Sequence, residues 1–300
     1  MMNGARQRRL RRRRAMRMGG AGNRERYLPW LILGGAVLLG LGFAILLGNV
    51  LGKQTEGLPA GRDDISVTYG NIRVPGVTCE AFAFGYAVDN MKANGTNAVS
   101  VVLRGADDTL GYRSETAIHM KRQADGAVAE SAGTEISYLH ENGMYVCGVF
   151  RVLSAGLDGQ AKSAEEYYER SLAAEVAGNG IDAILFDGLN FDGENESASL
   201  AYLAALRRDT GDTAIGAVLP AEFFRNGNAE ATLRRYLRSA DFFALDLRGI
   251  GDTEELADLL GGASYCLRAF PVRLLLRTSD ETARTWLRDN GFTDFQILPD

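Results

Sequence analysis

An α/β chain is expected here: a (β/α)8 TIM-like barrel that lacks its last outer helix and is preceded by one transmembrane helix. Three observations carry that expectation. Between residues 76 and 300, eight apolar runs of strand length alternate with seven amphipathic stretches of helix length. Many of the helical stretches stop at the Gly or Asn that a left-handed cap prefers. Ahead of them, residues 28–51 carry no charge at all and follow ten arginines. The alternating part, about 225 residues, approaches the roughly 250 of a typical barrel. An open doubly wound sheet is the alternative that the same alternation allows.

Taken in order, residues 1–27 hold ten Arg against the single acid Glu25, a net charge of +9, while the whole chain is −5. The remainder therefore carries −14 and repels nucleic acid. No aromatic ring interleaves the arginines, so the tail has no platform for base stacking; it reads as a cytoplasmic tail that touches anionic lipid. Residues 28–51 are long enough for a bilayer core, which needs about 20 apolar helical residues. Tyr27 and Trp30 stand at their start, where interfacial aromatics belong, and Lys53 follows their end. The run exceeds the apolar region of a cleaved signal peptide and no small-residue cleavage site follows it. A signal anchor is expected: a single pass through the cell membrane, N-terminus in the cytoplasm, the acidic domain extracellular. Residues 52–75 form a short polar stalk, and residues 76–300 form the barrel.

Strands are expected near 77–83, 98–103, 144–150, 181–186, 214–219, 242–247, 272–276 and 295–298, and helices near 86–94, 128–142, 163–178, 197–209, 228–238, 253–261 and 280–290. The expected caps are Asn94-Gly95, Asn142-Gly143, Gly178, Gly211 and Asn290-Gly291. The most informative stretch is 181–194, a near-continuous apolar run that turns abruptly into Gly, Asn, Asp and Glu. Such a run reads as a strand buried on both faces. Asp187, which closes it, falls where parallel barrels keep their chemistry. Six consecutive strands release a charged residue at or just past their ends: Arg104, Arg151, Asp187, Glu222, Asp246 and Arg277. Two uses fit such a rim. Paired carboxylates flanking a glycosidic bond act as general acid and nucleophile, or the arginines hold an anionic ligand with no reaction following.

Residues 97–114, NAVSVVLRGADDTLGYRS, together with 139–146, LHENGMYV, and 180–187, GIDAILFD, resemble the second, third and fourth strands of the bacterial glycosyl hydrolase domain family. Those are amylase-like TIM barrels, often secreted or membrane-anchored. The resemblance implies a cell-wall or extracellular glycan, a polysaccharide of peptidoglycan type among them, as the partner. It gives Asp187 the place of a site acid and Arg151 the place near the family's Arg. Glu222 as the acid partner, with Arg104, Asp246, Arg277 and Tyr112 as binding residues, comes from strand ends and aromatic content instead. Two departures stand out: Val102 replaces the family's second-strand acid, and Asn190 replaces its Arg after the fourth-strand Asp. An apolar Val cannot act as proton donor, so a hydrolase and a non-catalytic descendant that binds glycan or an envelope protein both remain open. Residues 186–194, FDGLNFDGE, also resemble the chitinase-type pattern of glycoside hydrolase family 18. That pattern would make Glu194 the general acid with Asp192 beside it.

No cofactor or metal is expected. The chain has no phosphate loop, no nucleotide fingerprint and no Ser–His–Asp arrangement, and His119 and His140 are too few for a His-based metal site. Asp187, Asn190, Asp192 and Glu194 could ligate Ca²⁺ through oxygen, but they do not follow the EF-hand spacing and read more readily as a solvated acidic loop. Cys79, Cys147 and Cys266 are an odd set whose spacing asks for no disulfide. Trp30 and Trp286 are the only tryptophans and neither falls at the rim, so sugar stacking would fall to Phe84, Tyr86, Tyr112, Phe223 or Phe224.

Overall fold

A computed structural model describes residue 73 and residues 75–300, except 124–129, 192–194, 226, 268–272, 293–294 and 299–300. The arginine tail, the anchor at 28–51, nearly all of the stalk, Asp192 and Glu194 lie outside the described residues. Among the described residues, no helix is long and apolar enough to cross a membrane.

Eight parallel strands close into a barrel in sequence order. They are β1 (Val77–Cys79), β2 (Ala98–Arg104), β3 (Tyr145–Arg151), β4 (Ala183–Asp187), β5 (Ala214–Leu219), β6 (Phe242–Asp246), β7 (Arg273–Thr278) and β8 (Phe295–Ile297). Closure runs through Val77 of β1 paired with Ile297 of β8. The helices are α1 (Tyr86–Ala93), α2 (Glu115–His119), α3 (Ala132–Glu141), α4 (Gly159–Gly178), α5 (Glu196–Thr210), α6 (Ala229–Tyr236), α7 (Thr253–Leu267) and α8 (Glu281–Asp289). The short α2 was not expected from the sequence; Ser114 caps it, its hydroxyl accepting from the Ala117 N–H. The left-handed cap after α4 is Gly180 rather than Gly178, because the helix runs through Gly178 and turns at Asn179. Gly95, Gly143, Gly211 and Gly291 take positive φ as expected.

The strands read as continuous apolar runs because both of their faces are covered. Period-two alternation sorts them into two cores. Val99, Val101, Leu103, Val146, Phe150, Ile184, Phe186, Ile215, Phe243 and Leu245 face the helices in one large cluster. Cys147, Val149, Ala183, Leu185, Val218, Phe242, Ala244 and Leu275 fill the barrel interior. Phe242 is the largest of that inner set, and its ring occupies the space a side chain at Gly216 would take: a Cβ there would lie 2.3 Å from it. Below the strands, Asp182 accepts from the Val146 N–H (2.7 Å) and from His140 Nε2 (2.9 Å), which ties the end of α3 to the starts of β3 and β4.

Gly216→Ala should therefore overpack the interior and cost about 1–3 kcal/mol of stability, measured by urea unfolding. Adding Phe242→Leu should recover part of the loss; a single Gly216→Ala that is neutral would contradict this packing.

Candidate functional site

The inward parity that buries Cys147 and Val149 on β3 carries Arg151 to the C-terminal mouth. The same parity brings Asp187 up behind Ala183 and Leu185 on β4, Asp246 behind Phe242 and Ala244 on β6, and Arg277 behind Leu275 on β7. Register then makes pairs of them: Arg151 lies opposite Asp187, and Asp246 opposite Arg277. The Arg151 Nη1 donates to Asp187 Oδ1 at 3.0 Å, and Arg277 Nη1 stands 3.8 Å from Asp187 Oδ2. Sequence reasoning missed a fifth member, Arg248. Its backbone N–H and Nε donate to Asp246 Oδ1 (3.1 and 2.9 Å), and its Nη2 reaches Asp246 Oδ2 at 2.5 Å and Asp187 Oδ2 at 3.4 Å. The Asp-x-Arg spacing at 246–248 was the available signal, since a side chain two residues on can fold back onto a strand-terminal carboxylate.

The layering of this cluster is uneven. Side-chain exposure is 40% for Arg151 and 47% for Arg248, but 15% for Asp187, 18% for Asp246 and 4% for Arg277. Burial would raise the Asp246 carboxyl, yet the hydrogen bonds and charge of Arg248, with Arg277 behind, hold it below its ordinary range. Burial lowers the Arg277 guanidinium, opposed by Asp187 and Asp246. Arg151 lies against the backbone of Gly188, whose φ is +94°; a Cβ there would meet Val152 O at 2.9 Å and Arg151 Nε at 3.2 Å. The chain beyond is pinned as well: the Asn190 N–H donates to Ser199 Oγ and the Asn190 carbonyl accepts from the Tyr236 hydroxyl.

Other expected members lie elsewhere. Arg104 does not reach the mouth. A register shift between Val102 and Arg104 sets Val102 beside inward Val149 and Arg104 beside outward Phe150, so the bulge turns the last side chain of β2 toward the helices. There Arg104 is fully buried, donating to Asp108 (2.7 Å), Glu165 (2.5 Å) and Glu169 (2.8 Å), with the Tyr168 ring 5.4 Å away. Burial weakens its charge, but the acids more than offset that. Tyr112 is fully buried in the outer core and offers no surface for a ligand, and Phe223 and Phe224 are buried too. Phe84 and Tyr86 are the exposed aromatics of that expected set. Glu222 is exposed on the 3-10 turn Ala221–Arg225 after β5, with no partner among the described residues. Val102, on the inward face, leaves the second strand without an acid in the mouth. Among the described residues, no three His, Cys, Asp or Glu side chains gather to hold a metal. Cys79 and Cys147 are free; burial pushes the Cys147 thiol up to about 12, which makes it a packing residue.

Although outside the mouth, Arg104 organises part of it. Its partner Glu169 also accepts from the Leu153 and Ser154 N–H groups (2.6 and 3.0 Å) and from the Ser154 hydroxyl (2.6 Å). Those three bonds fix the loop that leaves β3 directly after Arg151. Arg104→Met should leave Glu169 buried without its cation and Glu165 with Arg122 alone, and cost about 3–5 kcal/mol in urea unfolding. A second expectation concerns pH. Glu165, like Asp246, is held below its ordinary range: burial alone would raise it, but Arg122 and Arg104 prevail. For both carboxyls the folded value lies below the unfolded one, so their stabilisation is complete above about pH 4–5 and is lost as pH falls through the folded values. Asp246→Asn should shrink the stability lost between about pH 4 and pH 2, followed by thermal melts; an unchanged acid limb would contradict the Arg248 assignment.

No family model matches the chain, and no curated protein matches it. Among solved structures the chain is similar to N-acetylneuraminate lyase of Proteus mirabilis, at 9% identity over 75% of this chain and 70% of that one, TM-score 0.44. It is also similar to D-psicose 3-epimerase with D-tagatose from Clostridium cellulolyticum (11%, 75% and 84%, 0.46) and to endonuclease IV of Thermus thermophilus (11%, 76% and 93%, 0.49). None of these three is an amylase-like glycosidase, and the likenesses add nothing to the barrel described above. The resemblance to the glycosyl hydrolase domain family rests on sequence motifs alone.

Proposed function

We propose that this chain is a membrane-anchored barrel that binds a cell-wall or extracellular glycan at its C-terminal mouth without hydrolysing it. The anchor is residues 28–51, with the barrel outside the cell. The glycan reading is supported by the sequence resemblance over residues 97–187 and by the acid that closes β4. One observation carries the absence of hydrolysis: the Asp187 carboxylate faces three guanidinium groups, those of Arg151, Arg248 and Arg277. A glycosidase of the common kind needs one carboxyl ionised and a second that keeps its proton near neutrality, usually in apolar surroundings. Asp246 is bound by Arg248, and Glu222 stands exposed to solvent, so neither has those surroundings. Val102 removes the acid of the second strand.

Hydrolysis is the second reading. It is favoured by Asp187 and Asp246 sharing one guanidinium, which sets two carboxylates against the same space. The test is the full-length chain against a panel of glycans, wild type beside Asp187→Asn, following both release of reducing ends and binding. The expected result is no release by either protein, with binding weakened about tenfold or more in the variant as its arginines lose the anion that orients them. Release by the wild type that Asp187→Asn abolishes would establish the hydrolase instead.

A further inference from the structure

We propose that the ligand of this mouth is acidic, and that Arg151 and Arg248 receive its carboxylate or phosphate group above the sunken Asp187 and Asp246. The inference rests on the mouth being the binding surface and adds the chemical class of what binds there.

Charge is the first ground. Guanidinium groups outnumber carboxylates, three to two, among the five described members of the cluster, and the two that face outward, Arg151 and Arg248, are both cations. Layering is the second. The two most exposed groups of the five are the guanidinium groups of Arg151 and Arg248, and both carboxylates lie mostly covered. An approaching ligand therefore meets cations first. A neutral hydroxyl can accept from a guanidinium but brings no charge to pair with it, whereas an oxyanion does both.

Donor capacity is the third ground. A guanidinium offers five N–H donors. Arg151 directs Nη1 to Asp187, and Arg248 directs Nε and Nη2 to the two acids. Arg151 Nε and Nη2 and Arg248 Nη1 have no acceptor among the described residues. Two planar donors left incomplete are matched to an oxyanion, which accepts several charge-assisted bonds at once.

Preorganisation is the fourth. Asp246 holds Arg248 through its backbone N–H, Nε and Nη2, and Gly188 gives Arg151 a close backbone seat. Little side-chain freedom remains to be lost on binding. Asp187 and Asp246 thus act as positioning residues for the cations and not as contacts for the ligand.

Calorimetric titration of the full-length chain tests this with three probes: a uronic-acid disaccharide, the neutral disaccharide with its carboxyl groups reduced to alcohols, and inorganic phosphate. The acidic disaccharide is expected to bind at least about tenfold tighter than its neutral counterpart. Its affinity should fall as salt is raised from about 0.05 to about 0.5 M. Arg151→Gln and Arg248→Gln should each weaken it about tenfold or more. Arg151→Lys keeps the charge but loses the fork, so partial loss in that variant, with an unchanged thermal melt, separates recognition from misfolding. Phosphate binding without either disaccharide would keep the anion site and overturn the glycan reading. Equal binding of both disaccharides, indifferent to Arg151, would overturn the acidic class and keep the glycan reading. Failure of all three probes to bind would overturn both.

Discussion

A strand closed into a parallel barrel can aim its last side chain in only two directions, into the barrel or out toward the helices, and the arrangement of this mouth depends on that constraint. Arg151, Asp187, Asp246 and Arg277 are four residues distant in sequence. They converge because each stands an even number of positions from a residue of the inner core. Their meeting needs no special loop. It follows from pleating and register, the same rules that put Phe150 and Phe186 under the helices. A one-residue slip in any of these strands would exchange a mouth residue for a core residue and bury a charge among hydrocarbon.

Arg104 shows the constraint being broken at a cost that is met locally. Counting by twos from Ser100 would aim it inward. The bulge at the end of β2 absorbs one residue, so Leu103 and Arg104 both face outward. A lone guanidinium between sheet and helices would be severely destabilising, and Glu165, Glu169 and Asp108 compensate it. The ion cluster is then put to use. Glu169 reads the backbone of residues 153 and 154, so a helix beneath the sheet dictates how the chain leaves β3.

Much of this was legible in the sequence. The eight apolar runs, the glycine stops after α1, α3, α5 and α8, and the placing of Asp187 at a strand end all follow from periodicity and turn chemistry. The errors have physical causes. Nothing in the residues of β2 announces a bulge, so periodicity alone places Arg104 at the rim. Tyr112 has the composition of a stacking residue, but residues 104–111 fold back through an Arg104–Leu110 bridge, and Tyr112 follows them into the core. Arg248 was overlooked because it lies beyond its strand, and only side-chain geometry brings it back over Asp246. Strand ends were readable; side-chain return was not.

The aromatic ring of Phe242 and the aliphatic side chains around it have one more implication. They make the barrel a cup with a solid floor, since the space beneath the charged layer is packed hydrocarbon from Val149 and Leu185 across to Leu275. Whatever settles in the cup must depart through the opening by which it arrived. A long polymer could be gripped there by an end or by a protruding substituent, but it could never be threaded through.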